Sequence, residues 1–514
     1  MVFLILTQGW QKPPFFIIIS TNIMYFPTIG LEIHVELKTK TKMFCGCLNN
    51  PDEKTPNLNI CPICLAHPGT LPAINKKAVE AVLKLGLALG GNPSADNSKF
   101  DRKNYFYPDL PKGYQISQYD HPIISGGKLK NIRLRRIHLE EDTARLLHET
   151  YNMKHEAQKN IPSFKLQVSS LVDFNRAGLP LMELVTEPDI KSGKEAVEFA
   201  KELQLILRYL GISDADMEKG HMRIEANISI SSGNQLGTKV EVKNLNSFRS
   251  VGDAIDYEIK RQEEVLEKGE SIKHETRGWD EIHKKTKHQR AKEEAHDYRY
   301  FPEPDLPPFD LKKFNHKELK SSLPELPDQK RERFAKEFLL NPEQIEILIS
   351  DQELSHYFEE SASELFSGKS ELEKTKSIQL LFNYLTSDLK GLINEKNITA
   401  AELKITPENF ADLVVLIIKN EISSRTAKDV LKEMNETGLD PRQIIEKKGL
   451  SQISDKESIE RTIKEVMAEN PAAVSDYKGG KETALQFLIG KSMAKLKGRG
   501  NPEMVKNILK EFLI

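Results

Sequence analysis

Cysteine is scarce in this 514-residue chain and confined to one place: the only four lie between Cys45 and Cys64. Such usage disfavours disulfides, the alternative use of these thiols, since a disulfide-stapled secreted scaffold spreads paired cysteines along a short chain. Long apolar runs are missing too. The two in the first 23 residues, "FLIL" and "FFIII", flank "TQGWQKPP" and fall well short of the ~20 residues that span a bilayer. A basic start and a small-residue cleavage site are also absent there, so residues 1–23 read as a poorly ordered extension, with a soluble, cytoplasmic protein and no membrane partner expected. Charge of one sign is lacking, since the formal net charge is only −2 with 29% charged residues, which rules out a global basic field for a polyanion. The glycine loop of a P-loop fails on inspection. "GKS" occurs at Gly368–Ser370 and Gly490–Ser492, but Ser363 and Leu485 stand where the earlier glycine belongs, so any ATP site must use metal, lysines and aromatics.

What is present begins with "GLEIHVELKTKTKMFCGC", Gly30 to Cys47. Leu31, Ile33, Val35 and Leu37 alternate with Glu32, His34 and Glu36, the period of a half-buried strand. A solvated strand face has the same pattern. Similar alternation places Arg136, His138 and Glu140 together in "RRIHLEED", His221, Arg223, Glu225 and Asn227 in "HMRIEANISI", and Lys239, Glu241 and Lys243 in "TKVEVKN". Four strands thus pair one apolar face with one charged face. If they share a sheet, Glu32, Glu140 and Glu225 crowd together at a cost of ~4 kcal/mol per like pair at 4 Å. A divalent cation removes that cost, and carboxylates with one imidazole suit Mg²⁺ or Mn²⁺. Ordinary cross-strand Glu–Lys and Glu–Arg pairs would also explain the pattern.

The cysteines are spaced C-x-C-x13-C-x2-C, as Cys45, Cys47, Cys61 and Cys64. Two close thiolate pairs joined by a Pro- and Asn-containing loop suit a tetrahedral structural Zn²⁺, whose closed shell leaves no position for chemistry. Short strands and Pro/Gly turns prevail up to Pro308, and amphipathic helices follow. Thr406-Pro407-Glu408 and Asn501-Pro502-Glu503 each place a capping residue before a first-turn proline. The expected fold is α+β: an N-terminal antiparallel-sheet domain over 24–308, an all-helical domain over 309–405 and a small helical tail over 406–514. From Lys478 to Ile514 there are eight Lys or Arg against three Glu, compatible with a nucleic-acid contact and equally with a solvated helical face.

Seven segments carry a family resemblance: "GLEIHVELKTKTKMF", "CPICLAHPGTLP", "FDRKNYFYPDLPKGYQISQY", "HLEEDTARLLH", "DFNRAGLPLMELVTEPDI", "KVEVKNLNSF" and "KEEAHDYRYFPEPDLPP". In this order they resemble the motifs of the B subunits of glutamyl/aspartyl-tRNA amidotransferases, from Met24 to the C-terminus. The resemblance implies a catalytic "cradle", a helical domain and a tail that meets tRNA. It implies that Glu32, His34, Glu140 and Glu225 hold a catalytic Mg²⁺, although the family often has Asp in place of Glu225. Lys239 and Lys243 would join them in catalysis. Lys103, Tyr105, Tyr107, Asn175, Arg176, Asn244 and Arg290 would contact ATP or the terminal acyl-adenosine. Tyr105 and Tyr107 would serve a plain turn equally well as packing aromatics, and Asn175 and Arg176 a plain connecting loop. Lys287 departs from an arginine of the family. The implied reaction is ATP-dependent phosphorylation of the side-chain carboxylate of Glu on mischarged tRNA-Gln or Asp on tRNA-Asn, then displacement of phosphate by ammonia. The chain lacks a Gly/Ser-rich amidase signature, so the resemblance assigns ammonia production to a partner, the amidase A subunit, with the small C subunit completing a heterotrimer. A noncatalytic tRNA scaffold would not need the acidic sheet face, and a stand-alone carboxylate–amine ligase would not need the tail.

Overall fold

The structure, a computed structural model, describes residues 24–95, 97–151, 167–233, 235–291, 298–365, 371–450, 455–496 and 499–513. The first 23 residues lie outside these. The chain divides into two compact units, 1–326 and 327–514. Among the described residues no helix is long and apolar enough to cross a membrane.

The strands of the first unit are β1 (Phe26–Glu36), β2 (Asn92–Pro93), β3 (Asp101–Asn104), β4 (Tyr114–Ser117), β5 (Ile124–Ser125), β6 (Lys128–Leu129), β7 (Ile132–Glu141), β8 (Arg145–Tyr151), β9 (Gln167–Asp173), β10 (Pro180–Thr186), β11 (Met222–Ser231), β12 (Val240–Leu245), β13 (Glu275–Asp280), β14 (Lys285–Ala291) and β15 (Phe301–Pro302). The main sheet runs β14-β13-β12-β11-β1-β10-β7-β5-β2. Thus the four amphipathic strands do share one sheet, with β10 inserted between β1 and β7. The expected antiparallel arrangement needs one correction: β12 and β13 are parallel. The reason is the connection, since a helix, Phe248–Glu267, carries the chain from one to the other, and parallel neighbours need such a crossover.

The apolar face of this sheet is covered by helices. Those of the first unit are α1 (Lys76–Ala88), α2 (Gly193–Tyr209), α3 (Phe248–Glu267) and α4 (His316–Ser321). Phe199, Leu203 and Leu207 of α2 and Val251, Ala254 and Ile255 of α3 join Leu31, Ile33, Val35, Ile224 and Ile228 in one core. Ser192 and Ser247 cap α2 and α3 through bonds from Glu195 and Ser250, satisfying donors that a helix start leaves open. With that face sealed, the charged face stands clear. Residues beyond Pro308 stay in the first unit as far as Leu326, because Leu311 belongs to its core and Phe314, Leu319, Leu323 and Leu326 pack against it.

The described helices and strands of the second unit are all helices: α5 (Pro327–Glu337), α6 (Pro342–Ile349), α7 (Gln352–Leu365), α8 (Glu371–Asn383), a π-helical turn at Tyr384–Leu389, α9 (Lys390–Lys396), α10 (Pro407–Ile418), α11 (Ser424–Thr437), α12 (Pro441–Lys448), α13 (Lys456–Glu469), α14 (Pro471–Lys478), α15 (Glu482–Lys495) and α16 (Pro502–Leu513). Thr406 caps α10 as its sequence suggests, and Asn501 Oδ1 accepts from the amides of Glu503 and Met504 at the start of α16. Helix α10 packs back on α7, with the rings of Tyr357 and Phe410 5.8 Å apart and the Tyr357 hydroxyl donating to Ile405 O at 3.0 Å. A separate cluster, from Ile459 to Leu513, forms the core of α13–α16.

Candidate active site and metal centres

Register places the charged residues in rows across the sheet. His138, Glu183, His34 and Arg223 are successive partners on β7, β10, β1 and β11, and Glu32 faces Glu225 one step along. Side chains alternate faces, so each row points to the open side. Two clusters of possible metal ligands result: His34, Glu140 and Glu183, and Glu32, Glu225 and Glu241, the ligand atoms of each lying within 4.8 Å of one another. The sheet therefore does not join Glu32, His34, Glu140 and Glu225 into one set. It divides them and adds Glu183 and Glu241.

In the first cluster His34 Nε2 lies 3.4 Å from Glu140 and 3.5 Å from Glu183. His138 Nε2 approaches Glu183 at 3.3 Å, and the Ser117 hydroxyl donates to Glu140 at 3.2 Å. Burial opposes a charge on His34, but its hydrogen bond to Glu183 and the charges of Glu183, Glu140 and Glu225 prevail and push its pKa up to about 9. In the second cluster Asn227 donates to Glu32 at 3.0 Å, Lys243 to Glu225 at 2.8 Å and the Thr276 hydroxyl to Glu241 at 2.7 Å. Oxygen donors dominate both sets, so both fit Mg²⁺ or Mn²⁺, and carboxylates held by neighbouring donors are the usual second shell of such sites.

Both clusters floor one cavity of about 390 Å³, whose walls include Lys103, Tyr105, Tyr119, Tyr298, Tyr300, Lys239 and Lys243. Lys103 Nζ sits 5.1 Å from the Tyr298 ring centre, and the Tyr119 and Tyr300 rings stack at 4.5 Å. Burial disfavours the Lys103 charge, yet Tyr300, Glu140 and Glu183 more than offset it and raise its pKa. Cations and tyrosine faces above acidic clusters form a place for a polyphosphate and a base.

Other expected contacts lie elsewhere. Tyr107 is exposed beside Tyr105, with ring centres 6.0 Å apart, and is not a wall of the cavity. Asn175 is buried in the turn after β9, where it accepts from Asn59 N at 2.9 Å and donates to Thr55 O at 2.7 Å. Arg176 pairs with Glu36 and, at 2.8 Å, with Asp142, which holds Arg223 at 3.0 Å; burial and Arg223 push its pKa down to about 10. Asn244 has φ +64° at the bulge where β12 gains a residue over β11, a left-handed position that asparagine tolerates. Arg290 lies on β14 opposite Thr276; its side chain is outside the described residues. Lys287 pairs with Asp280 next to the exposed turn between β13 and β14.

The four cysteines converge. Cys64 Sγ lies 3.5, 3.7 and 3.8 Å from the sulfurs of Cys45, Cys61 and Cys47, too far for disulfides near 2.0 Å. A tetrahedron with metal–sulfur bonds of about 2.3 Å has edges of about 3.8 Å, so the set fits Zn²⁺. Lys42 Nζ stands 3.6 Å from Cys64 Sγ.

Glu183 escaped the sequence reading because its surroundings, "LPLMELVT", are apolar on both sides and hide the strand period. An acid inside such a run was the available signal, since burying one without a partner is costly. Glu241 was legible as a member of the charged face and not as a ligand.

Residues 27–316, which carry the carboxylate-rich sheet floor, the tyrosine-lined wall and the four cysteines, match the family model described as the GatB/GatE catalytic domain. Residues 369–513 match the model described as the GatB domain. The chain belongs to the GatB/GatE family. It is 46% identical over 500 residues to the B subunit of the aspartyl/glutamyl-tRNA(Asn/Gln) amidotransferase of Thermotoga maritima, covering 95% of this chain and 99% of that protein. The proteins of the same name from Thermoanaerobacter sp. and Persephonella marina are each 45% identical, over 499 and 498 residues, with the same shares covered.

Proposed function

We propose that this chain amidates Glu-tRNA(Gln), Asp-tRNA(Asn) or both at the expense of ATP, as the kinase and transamidase component of an amidotransferase. The observation that carries this reading is the pair of ligand clusters under one cationic, tyrosine-lined wall, in a chain 46% identical to proteins named for that activity. A carboxylate is a poor electrophile. Its oxygen attacks the γ-phosphorus of ATP, ADP leaves, and the resulting acyl phosphate has a good leaving group. Ammonia then bonds to the carbonyl carbon, the bond to the phosphate oxygen breaks, and loss of a proton leaves the amide and inorganic phosphate.

Mg²⁺, held by Glu32, Glu225 and Glu241 and by His34, Glu140 and Glu183, would neutralise phosphate charge and orient the γ-phosphoryl group. Lys239, Lys243 and Lys103 supply fixed positive charge beside it, and Tyr105, Tyr298 and Tyr300 offer faces for adenine. Arg176 acts by holding Asp142 and, through it, Arg223 at the cavity. The cysteine cluster holds structural Zn²⁺, and no cysteine remains outside it as an amidase nucleophile. Ammonia therefore comes from the amidase A subunit, with the small C subunit completing a cytoplasmic heterotrimer. The helical region from Thr406 onward meets tRNA. The purified chain, with or without those partners, is given ATP, mischarged tRNA and ammonium chloride. Amidated tRNA in the assembled complex is expected; amidation of free glutamate or aspartate would point instead to a stand-alone ligase, and no ATP turnover under any condition to a scaffold.

A further inference from the structure

We infer that Lys42 is a positioning residue that couples metal occupancy of the cysteine cluster to the geometry of the cavity floor, an inference that rests on the catalytic and zinc readings above. Lys42 has no exposed surface. Its Nζ lies 3.6 Å from Cys64 Sγ and donates to the carbonyls of Ala177 at 2.8 Å and Phe174 at 3.3 Å. Among the described residues no carboxylate comes within 4.0 Å of it. A buried ammonium without an anion is costly, and four thiolates around one Zn²⁺ leave two net negative charges. The loaded cluster is thus a doubly charged counter-ion beside this lysine, with Cys64 Sγ 3.6 Å from Nζ.

The carbonyls Lys42 holds belong to the turn 173–178, and the cysteine loop grips the same turn from its other side. Asn57 N donates to Asp173 at 3.0 Å, Phe174 N to Asn57 Oδ1 at 2.8 Å, and Asn175 bridges Thr55 and Asn59. Met43 N donates to Gly178 O at 2.8 Å. On the far side the turn presents Arg176 to Glu36 and Asp142, while Gly178 N donates to Asp142 O at 2.9 Å. Asp142 in turn holds Arg223, a wall of the cavity. Every link from sulfur to cavity is a direct contact. Removing the metal lowers the negative charge that faces Lys42, and its movement releases the carbonyls of Phe174 and Ala177, loosening the anchor of Arg176.

Hydrogen exchange of the full-length chain tests this, with zinc content measured in parallel. In the wild type, chelation should raise exchange in 173–178 by ~tenfold or more, with a smaller rise at 139–142. Lys42→Met with zinc still bound should show the same rise at the turn while 45–64 stays protected, and chelation should then add little there. A destabilised core variant, Val82→Ala, should leave the turn unchanged. Should Lys42→Met not fold, Lys42→Gln, which keeps a donor for the carbonyls without the charge, should leave exchange of the turn indifferent to chelation. A turn indifferent to chelation in the wild type, wild-type exchange in zinc-bound Lys42→Met, a wild-type response to chelation in Lys42→Gln, or an equal rise in Val82→Ala would each overturn the coupling. Wild-type chain that takes up no zinc would instead sink the zinc reading, and the coupling with it.

Discussion

Glu183→Gln is the most telling single change, because it keeps shape and removes one charge between His34 and His138. Its carboxylate is almost fully enclosed, 3.5 Å from His34 Nε2 and 3.3 Å from His138 Nε2. Burial disfavours its charge, but the two histidines prevail and hold its pKa well below the ordinary carboxylate range. The rise of the His34 pKa from 6.5 to about 9 corresponds to about 3 kcal/mol in favour of the imidazolium at 1.36 kcal/mol per unit. Glu183 is the leading contributor. A divalent cation in the same place carries twice that charge, so losing this carboxylate should weaken Mg²⁺ by ~3 kcal/mol, or ~100-fold. The Mg²⁺ concentration for half-maximal amidation by the assembled complex should rise by that factor, with the near-UV spectrum unchanged. A Glu183→Gln enzyme with wild-type Mg²⁺ dependence would show that the first cluster holds no catalytic metal.

The histidine also sets a pH dependence. Because its pKa is raised in the folded, metal-free chain, the stabilisation it gives is fully present below about 6.5 and is lost as pH rises through about 9. Thermal melts of metal-free wild type and His34→Gln should therefore converge above that range; a constant gap across pH 6 to 10 would contradict the assignment. Metal binding needs the neutral ring, so Mn²⁺ binding near pH 7.5 should release about one proton, visible by calorimetry in buffers of different ionisation enthalpy. Cys45→Ser should lose zinc and folding stability first, by several kcal/mol, read by metal analysis with urea melts, whereas His34→Ala should lose activity while its melting temperature matches wild type only above about pH 9. Deleting 456–514, the cluster with its own core, should raise the tRNA KM strongly and flatten its salt dependence, leaving ATP binding intact; unchanged tRNA affinity would dismiss that segment as the contact.

Local order was legible in the chain because its causes are local. Alternation in Leu31–Leu37 names both faces of β1 from single residues, C-x-C-x13-C-x2-C brings two thiolate pairs within reach of one metal, and Thr406-Pro407 marks a helix start by capping chemistry alone. Pairing is not local. Only the folded sheet inserts β10 between β1 and β7, and that insertion delivers Glu183 to His34 while Glu32 turns toward Glu225 and Glu241. Asn175 and Arg176 read as ligand-reaching groups on a turn, yet contacts more than 100 residues away in sequence, to Thr55 and Glu36, make them part of the support beneath the site. Strand period and ligand spacing are properties of neighbouring residues, whereas which strands pair, in what register, is decided by burying the apolar face of β1 and β11 against α2 and α3.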